Sequence, residues 1–137
     1  MRANKEQNTT TVDDKKYIQY VLVKVIGQVP SKSNGYRIAK GRLIKSEQVR
    51  EYEKSFYLQS IIYKNLGIEG NFEFHAKVYF KTNQSDVDGS LKIILDCLQK
   101  INAISNDKNC QKIVIEKFLD KNNPRIEFYL VESLKII

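Results

Sequence analysis

The sequence is poor in the residues that build histidine-based and thiolate-based sites. It contains one histidine and two cysteines in 137 residues. Any histidine metal site or catalytic relay would have to be built around His75, which lies on the polar face of a predicted strand and is expected to have a surface or packing role. Cys97 and Cys110 lack the spacing of a zinc site. We expect Cys97 to be a small core residue and expect no structural disulfide in a reducing compartment.

Long apolar segments are also missing. No run approaches the ~18 residues that a membrane span requires. The first 16 residues are polar and lack the apolar core of a signal peptide. We therefore expect a cytoplasmic protein. A length of 137 residues and a hydrophobic fraction of 42% are typical of one globular domain with one core.

Acidic residues are absent from a long early segment. Between Lys15 and Ser46 the chain has eight basic residues and no acid, within a net charge of +7. Such a block suits a polyanion, although composition alone fits a solvated basic surface equally well. An anionic membrane surface is less favoured, because no strongly amphipathic basic helix is evident. The eight residues are Lys15, Lys16, Lys24, Lys32, Arg37, Lys40, Arg42 and Lys45.

The apolar patterns predict an α+β single domain in which two main helices pack on a mixed sheet. Residues 1–15 read as a flexible tail and 16–137 as the folded domain. Predicted strands cover 17–26, 71–82, 111–119 and 124–131, with a weaker strand or irregular basic segment at 36–44. Predicted helices cover 46–63, with Ser46 as N-cap, and 89–101.

Side-chain periodicity predicts which faces are buried. Alternate residues of 71–82 share one face of a strand. The first helix has a partly apolar face made of Val49, Tyr52, Phe56, Ile61 and Ile62. The second helix has a buried stripe made of Leu91, Ile94, Leu95, Leu98 and Ile101.

Two aspartates lie between the predicted strand 71–82 and the second predicted helix. Asp86 and Asp88 alternate along an extended segment, so both carboxylates could face one site. Carboxylate oxygens suit Mg²⁺, which keeps waters and substrate phosphates. The alternatives are a solvated loop acid at Asp86 and a helix cap at Asp88.

Lys92 and Asp96 continue this pattern. Asp88, Lys92 and Asp96 recur at four-residue intervals along one edge of the predicted helix. The spacing alone favours an i,i+4 salt-bridge ladder. In the functional interpretation, Lys92 is a cation beside a scissile phosphate. Asp107 follows in a short loop that could return a third carboxylate, and Lys117 lies on the next predicted strand, where it could simply be exposed.

These positions together resemble the RusA family of Holliday junction resolvases. The pattern is Asp86-x-Asp88, Lys92, the Asp96-x-Leu98 motif, then Asp107 and Lys117. The resemblance extends over about residues 20–132, and its specific part is 86–117. Two positions depart from the family pattern: Gly89 replaces an asparagine, and Asn106 replaces the first acid of an Asp-Asp pair. Gly89 removes a side-chain amide that could orient a metal shell.

The resemblance implies a small dimeric endonuclease that uses Mg²⁺ or Mn²⁺ and no organic cofactor. Asp86, Asp88 and Asp107 would bind the metal, Lys92 would act as a base-like or charge-stabilising lysine, and Asp96 would support them. The expected reaction is phosphodiester hydrolysis by paired, symmetric nicks in a four-way DNA junction during recombination and repair. The family is often carried by phages or prophages. The DNA backbone would be held by Lys32, Arg37, Lys40, Arg42 and Lys117.

Two other interpretations remain open at this point. A non-catalytic DNA-binding module explains the basic block but leaves clustered acids that would repel phosphate. A metal-dependent nuclease that acts on another branched DNA explains the acids as well. A requirement for divalent metal in strand cutting would distinguish a nuclease from the DNA-binding module. A comparison of junction with linear DNA would distinguish a junction resolvase from a nuclease that acts on another branched DNA.

Overall fold

The computed structural model describes residues 6–12, 15–31 and 36–135. These residues form eight strands and two α-helices, together with short 3-10 turns at Ile61–Tyr63 and Asp107–Asn109. The strands and helices, in chain order, are β1 (Glu6–Val12), β2 (Lys15–Tyr20), β3 (Val23–Ile26), β4 (Tyr36–Ala39), β5 (Arg42–Lys45), α1 (Glu47–Gln59), β6 (Phe72–Phe80), α2 (Val87–Lys100), β7 (Cys110–Leu119) and β8 (Arg125–Lys135).

Six of the strands form one mixed sheet in the order β1-β2-β8-β6-β7, and β3 pairs with the first part of β8. Strands β6 and β7 are parallel and are joined through α2, whereas the other pairs in the sheet are antiparallel. Parallel neighbours need such a crossover connection. The α+β class and the mixed sheet with two helices are therefore confirmed.

Strand β6 alternates as its sequence predicts. Phe72, Phe74, Ala76, Val78 and Phe80 are buried in the core. Because neighbours in register share a face, these residues also fix which side of β7 and β8 lies under the helices.

The opposite face of β6 carries the histidine. The ring of His75 stacks on Tyr129, with 4.8 Å between ring centroids. Its Nε2 lies 2.9 Å from a carboxylate oxygen of Glu73. These contacts agree with a packing role for His75.

Helix α1 begins as predicted but ends early. The Ser46 hydroxyl accepts a hydrogen bond from the Val49 amide at 3.3 Å, which is an N-cap. The helix stops at Gln59, and the 3-10 turn that follows carries Tyr63 into the core. The Tyr63 hydroxyl donates to the Val21 carbonyl at 2.7 Å. The predicted burial of Ile61 and Ile62 is therefore wrong, since the tighter turn leaves both exposed.

Helix α2 begins two residues earlier than predicted, at Val87. Four residues of the predicted stripe are buried, whereas Leu91 is only partly buried and packs against the core. Cys97 is buried as expected, and burial, with a smaller contribution from the Glu53 charge, raises the pKa of its thiol to about 12. Such a thiol is a poor nucleophile at neutral pH. The buried members of the predicted stripe are Ile94, Leu95, Leu98 and Ile101.

Two early segments differ from the sequence-based picture. Residues 6–12, expected in a flexible tail, pair with β2 as strand β1. The predicted strand over 17–26 is interrupted at residues 21–22, so β2 and β3 pair with different parts of β8. The basic segment forms the β4–β5 hairpin, whose turn has positive φ at Lys40 and Gly41. Both central residues of a type I′ hairpin turn require positive φ.

Candidate active site

Asp86 is the N-cap of α2. Its Oδ1 accepts a hydrogen bond from the Gly89 amide at 3.1 Å, and its backbone is extended, as at other N-caps. Asp88 lies in the first turn of the helix and is exposed. The capping role considered for Asp88 therefore belongs to Asp86. Both carboxylates lie at the positive end of the helix dipole, which stabilises their charge.

Lys117 holds the segment that leads to Asp86. Its register partner in β6 is the buried Val78, so its side chain lies on the helix side of the sheet. The Lys117 ammonium donates to the Asn83 carbonyl at 3.1 Å and to the Ser85 carbonyl. Lys117 is therefore more than an exposed strand lysine. It fixes the backbone immediately before Asp86.

Lys92 lies between two carboxylates. Its Nζ is 3.2 Å from Asp96 Oδ1 and 3.0 Å from Asp107 Oδ2. The i,i+4 pair favoured by the spacing is present, and the loop after α2 adds the second acid. Hydrogen bonds to Asp107, and then to Asp96, raise the pKa of Lys92. A lysine is already protonated at neutral pH, and these contacts favour its charged form further, which suits charge stabilisation.

Asp107 reaches Lys92 because the chain reverses sharply after α2. Asn102 has a φ of 61°, and the following residues return to bridge Ile104 with Ile68 beside the sheet. Asn106 caps the short 3-10 turn through its side-chain oxygen, which accepts from the Lys108 amide at 3.0 Å. The asparagine at position 106 therefore has a local structural use.

The described side chains do not form a preassembled metal cage. Among residues 6–12, 15–31 and 36–135, no three His, Cys, Asp or Glu side chains group closely enough to hold a metal ion. Mg²⁺ in phosphate-processing sites is commonly held by one or two carboxylates with waters and substrate phosphates. The oxygen-only donors along α2 and at Asp107 fit that kind of site in their chemistry.

A basic groove lies between the β4–β5 hairpin and both helices. Its volume is about 770 Å³. A smaller depression shares Lys45 and Lys100 with it and adds Asp96, one of the two carboxylates that contact Lys92. Glu53 contacts Lys45 at 2.6 Å and Lys100 at 3.4 Å. The cations that line the groove are Arg42, Lys45, Arg50, Lys54 and Lys100.

Sequence reasoning found only part of this groove. Arg42 lines it, and Lys40 is exposed at the adjacent hairpin turn. Lys32 lies outside the described residues, and so does the side chain of Arg37. Three cations of the groove that lie on the helices were not predicted as DNA contacts, because they lie outside the acid-free block. These cations are Arg50, Lys54 and Lys100. The i,i+4 spacing of Arg50 and Lys54 was the available signal in the sequence.

Comparison with protein families identifies a match to this chain. A protein-family model described as Endodeoxyribonuclease RusA matches residues 24–130. The matched region includes the groove, helix α2, the Lys92 cluster and Lys117. No curated protein matches the chain. Within the described residues, no helix has the length and apolar character needed to cross a membrane.

Proposed function

Because the chain belongs to the RusA family of endodeoxyribonucleases, we propose that it resolves four-way DNA junctions by metal-dependent, paired nicks. Family membership makes it an endodeoxyribonuclease and implies Holliday junction resolvase activity in recombination. One observation supports the finer proposal. Lys92 contacts both Asp96 and Asp107, and Asp96 lines a depression that adjoins the basic groove, while Asp86 and Asp88 begin the same helix.

The proposed metal ligands are Asp86, Asp88 and Asp107. Their carboxylates are oxygen donors of the kind that Mg²⁺ or Mn²⁺ prefers, and two of them begin a helix whose dipole favours anions. A bound divalent ion would lower the pKa of a water and polarise the phosphodiester. Asp86 is oriented by its bond to Gly89 and by the backbone that Lys117 holds. Asp96 supports the site by orienting Lys92.

Lys92 is proposed to stabilise charge on the phosphate. Its raised pKa keeps the ammonium charged, and its exposed position allows contact with a substrate. Preorganised cations act best when their orientation is fixed before the reaction. The two aspartates that flank Lys92 supply that orientation. Cleavage in line would leave a 5′-phosphate and a 3′-hydroxyl.

The groove is proposed to hold the DNA backbone. Its cations come from the hairpin and from both helices, and they would contact phosphates without reading bases. The path ends at Asp96, beside Lys92, which would bring a bound strand to the reacting groups. Two copies of the protein would place two such sites on opposed strands, so that paired cuts resolve a junction.

Removing the cations of the hairpin turn should weaken DNA binding. We expect Lys40→Ala with Arg42→Ala to lower junction affinity roughly tenfold and to reduce the slope of log affinity against log salt by about 1 to 2. Both side chains are exposed, so the fold should be unaffected. Fluorescence anisotropy across a salt series measures both quantities.

The control for this pair is Lys24→Ala, which removes an exposed lysine from β3, outside the groove. It should leave the salt slope nearly unchanged. Equal losses in both variants would mean that net charge, rather than the hairpin, holds the DNA.

Metal dependence separates a nuclease from a DNA-binding module. We expect cleavage of a labelled four-way junction in Mg²⁺ or Mn²⁺ and none in chelator, with junction binding retained in both conditions. A specific observation favours the alternative: Lys92 already pairs with Asp107, and Gly89 lacks the family's amide. Binding without cutting under every divalent metal would support the module and contradict the proposal.

A further inference from the structure

Strand β7 forms one edge of the sheet, and its outer side pairs with none of the described strands. It is ten residues long, or about 33 Å at the usual rise of a strand. Its inner side pairs with β6 at nine positions; the register shifts at Gln111, and the pairing is regular from Lys112 to Leu119. A long, regular edge of this kind is a template for another strand unless something blocks it.

Apolar side chains are exposed on both faces of β7. Val114 and Phe118 lie on the face away from the helices, with 39% and 36% of their surface exposed. Ile113 and Leu119 lie on the helix side, with 44% and 58% exposed. The helices therefore do not cover this edge. Exposed apolar side chains on both faces of an unpaired strand are typical of a surface that a partner covers.

The charges on β7 indicate which partner fits. Lys112 and Glu116 lie on the same face, two residues before and two residues after Val114. If a second β7 runs antiparallel with Val114 opposite Val114, each Lys112 lies opposite Glu116 of the partner subunit. This happens twice, once on each side of the axis. Opposite charges in directly facing positions stabilise a strand pair, and an isologous interface requires such self-complementarity.

Neighbouring registers lose this match. A shift of one residue, which places Val114 opposite Ile115, puts Lys112 opposite Lys117 of the partner subunit. Registers centred on Lys112 or on Glu116 place like charges at the axis. The register centred on Val114 also places Ile113 opposite Ile115 of the partner subunit, so apolar residues meet on both faces. Charged residues at sheet edges often prevent pairing, but here their spacing suits one register of self-association.

We propose that two copies of this chain join through β7, antiparallel and centred on Val114, so that their sheets become one continuous sheet. This interface deepens the proposed function, because it rests on the need for two copies to make paired cuts. The partner is a second copy of this chain rather than an extended peptide of another protein, because the charge pattern of β7 complements itself.

The interface lies next to the candidate site. Asp107 precedes β7 by three residues, and Lys117 lies within the strand. Lys117 also holds the backbone before Asp86. Pairing of the two β7 edges would therefore hold in place the strand that follows Asp107 and carries Lys117. It would also set the distance and orientation between the two sites across the two-fold axis.

Charge reversal tests the register. Lys112→Glu places glutamate opposite Glu116 of the partner subunit, and Glu116→Lys places lysine opposite Lys112 of the partner subunit. Each single variant should raise the dimer dissociation constant roughly tenfold or more, because two like-charge pairs replace two opposite-charge pairs. The double variant Lys112→Glu with Glu116→Lys restores both pairs and should return close to the wild-type value. Sedimentation velocity over a concentration series measures all four proteins.

Cysteine cross-linking tests the axis directly, in a Cys110→Ser background. Val114→Cys places the two new thiols opposite each other, within the ~4.4–6.8 Å between Cα atoms that a disulfide allows. Lys112→Cys is the matched control, on the same strand and the same face. Its two copies would lie about four strand positions apart, or ~13 Å, which is too far to bridge. Oxidation should therefore join the Val114→Cys chains and not the Lys112→Cys chains.

Several outcomes would overturn the interface. They are a monomeric wild-type protein, single reversals without effect, failure of the double reversal to recover the dimer, and equal cross-linking at both positions. Junction cleavage by wild-type protein in such a case would leave the proposed function standing and place the dimer surface elsewhere. Conversely, a dimer that follows the reversal pattern but never cuts DNA would support the interface and contradict the nuclease. The two failures are therefore distinguishable.

Discussion

Asp88→Asn should lower the rate of junction cleavage by ~10²-fold or more while leaving junction affinity within about twofold. The substitution keeps the size of the side chain and removes the charge that a metal ligand needs. Asp88 is exposed in the first turn of α2, so the fold should lose only the helix-dipole contribution of about 0.3–1 kcal/mol. Single-turnover cleavage and anisotropy, with Mg²⁺ and Ca²⁺ respectively, separate the two quantities.

The matched control for this prediction is Asp120→Asn. Asp120 lies in the turn between β7 and β8, is not among the proposed metal ligands, and pairs with Arg125 at 2.9 Å. Its removal takes away the same charge but should leave the cleavage rate within about threefold, as is usual for surface substitutions. Undiminished cleavage by Asp88→Asn would contradict the assignment of Asp88 to the site.

Lys92→Met should lower the cleavage rate by about 10²-fold, as the loss of one preorganised charge commonly does. Methionine keeps the aliphatic length of lysine but cannot neutralise developing charge on phosphate. The loss also leaves Asp96 and Asp107 without the cation that now contacts both. Lys92→Arg keeps the charge and is expected to retain more activity than Lys92→Met.

The pH dependence of these variants gives a second readout. Because its carboxylate partners raise the pKa of Lys92, this group favours the folded state at pH values below its unfolded pKa of about 10.4. That contribution is lost only as the pH rises through the raised folded value. Wild type and Lys92→Arg should therefore show similar rate profiles around neutral pH. Equal rates for Lys92→Met and wild type would contradict the charge-stabilising role.

Local periodicity explains which parts of the fold could be predicted. The alternation of Phe72–Phe80, the cap at Ser46 and most of the apolar stripe of α2 depend on neighbours within about four residues. The end of α1 does not, because the 3-10 turn that buries Tyr63 is stabilised by the distant Val21 carbonyl. Pairing of β1 with β2 likewise depends on contacts that a polar composition does not reveal.

The candidate site, like the fold, could be predicted from the sequence only where it depends on local spacing. The Lys92–Asp96 pair follows from helical spacing, and the short loop made the approach of Asp107 plausible. The role of Lys117 could not be predicted, because it depends on parallel register with β6. The groove could not be predicted either, since its cations come from a hairpin and two helices that are distant in sequence.

The most direct test of the account is to map nicks on a synthetic four-way junction whose strands are labelled in turn, beside a linear duplex of matched sequence. We expect symmetric nicks in two opposed strands, in Mg²⁺ but not in chelator, while the duplex stays intact. Equal cutting of the linear duplex would contradict junction resolution. Tight junction binding without a nick under any divalent metal would contradict the nuclease itself.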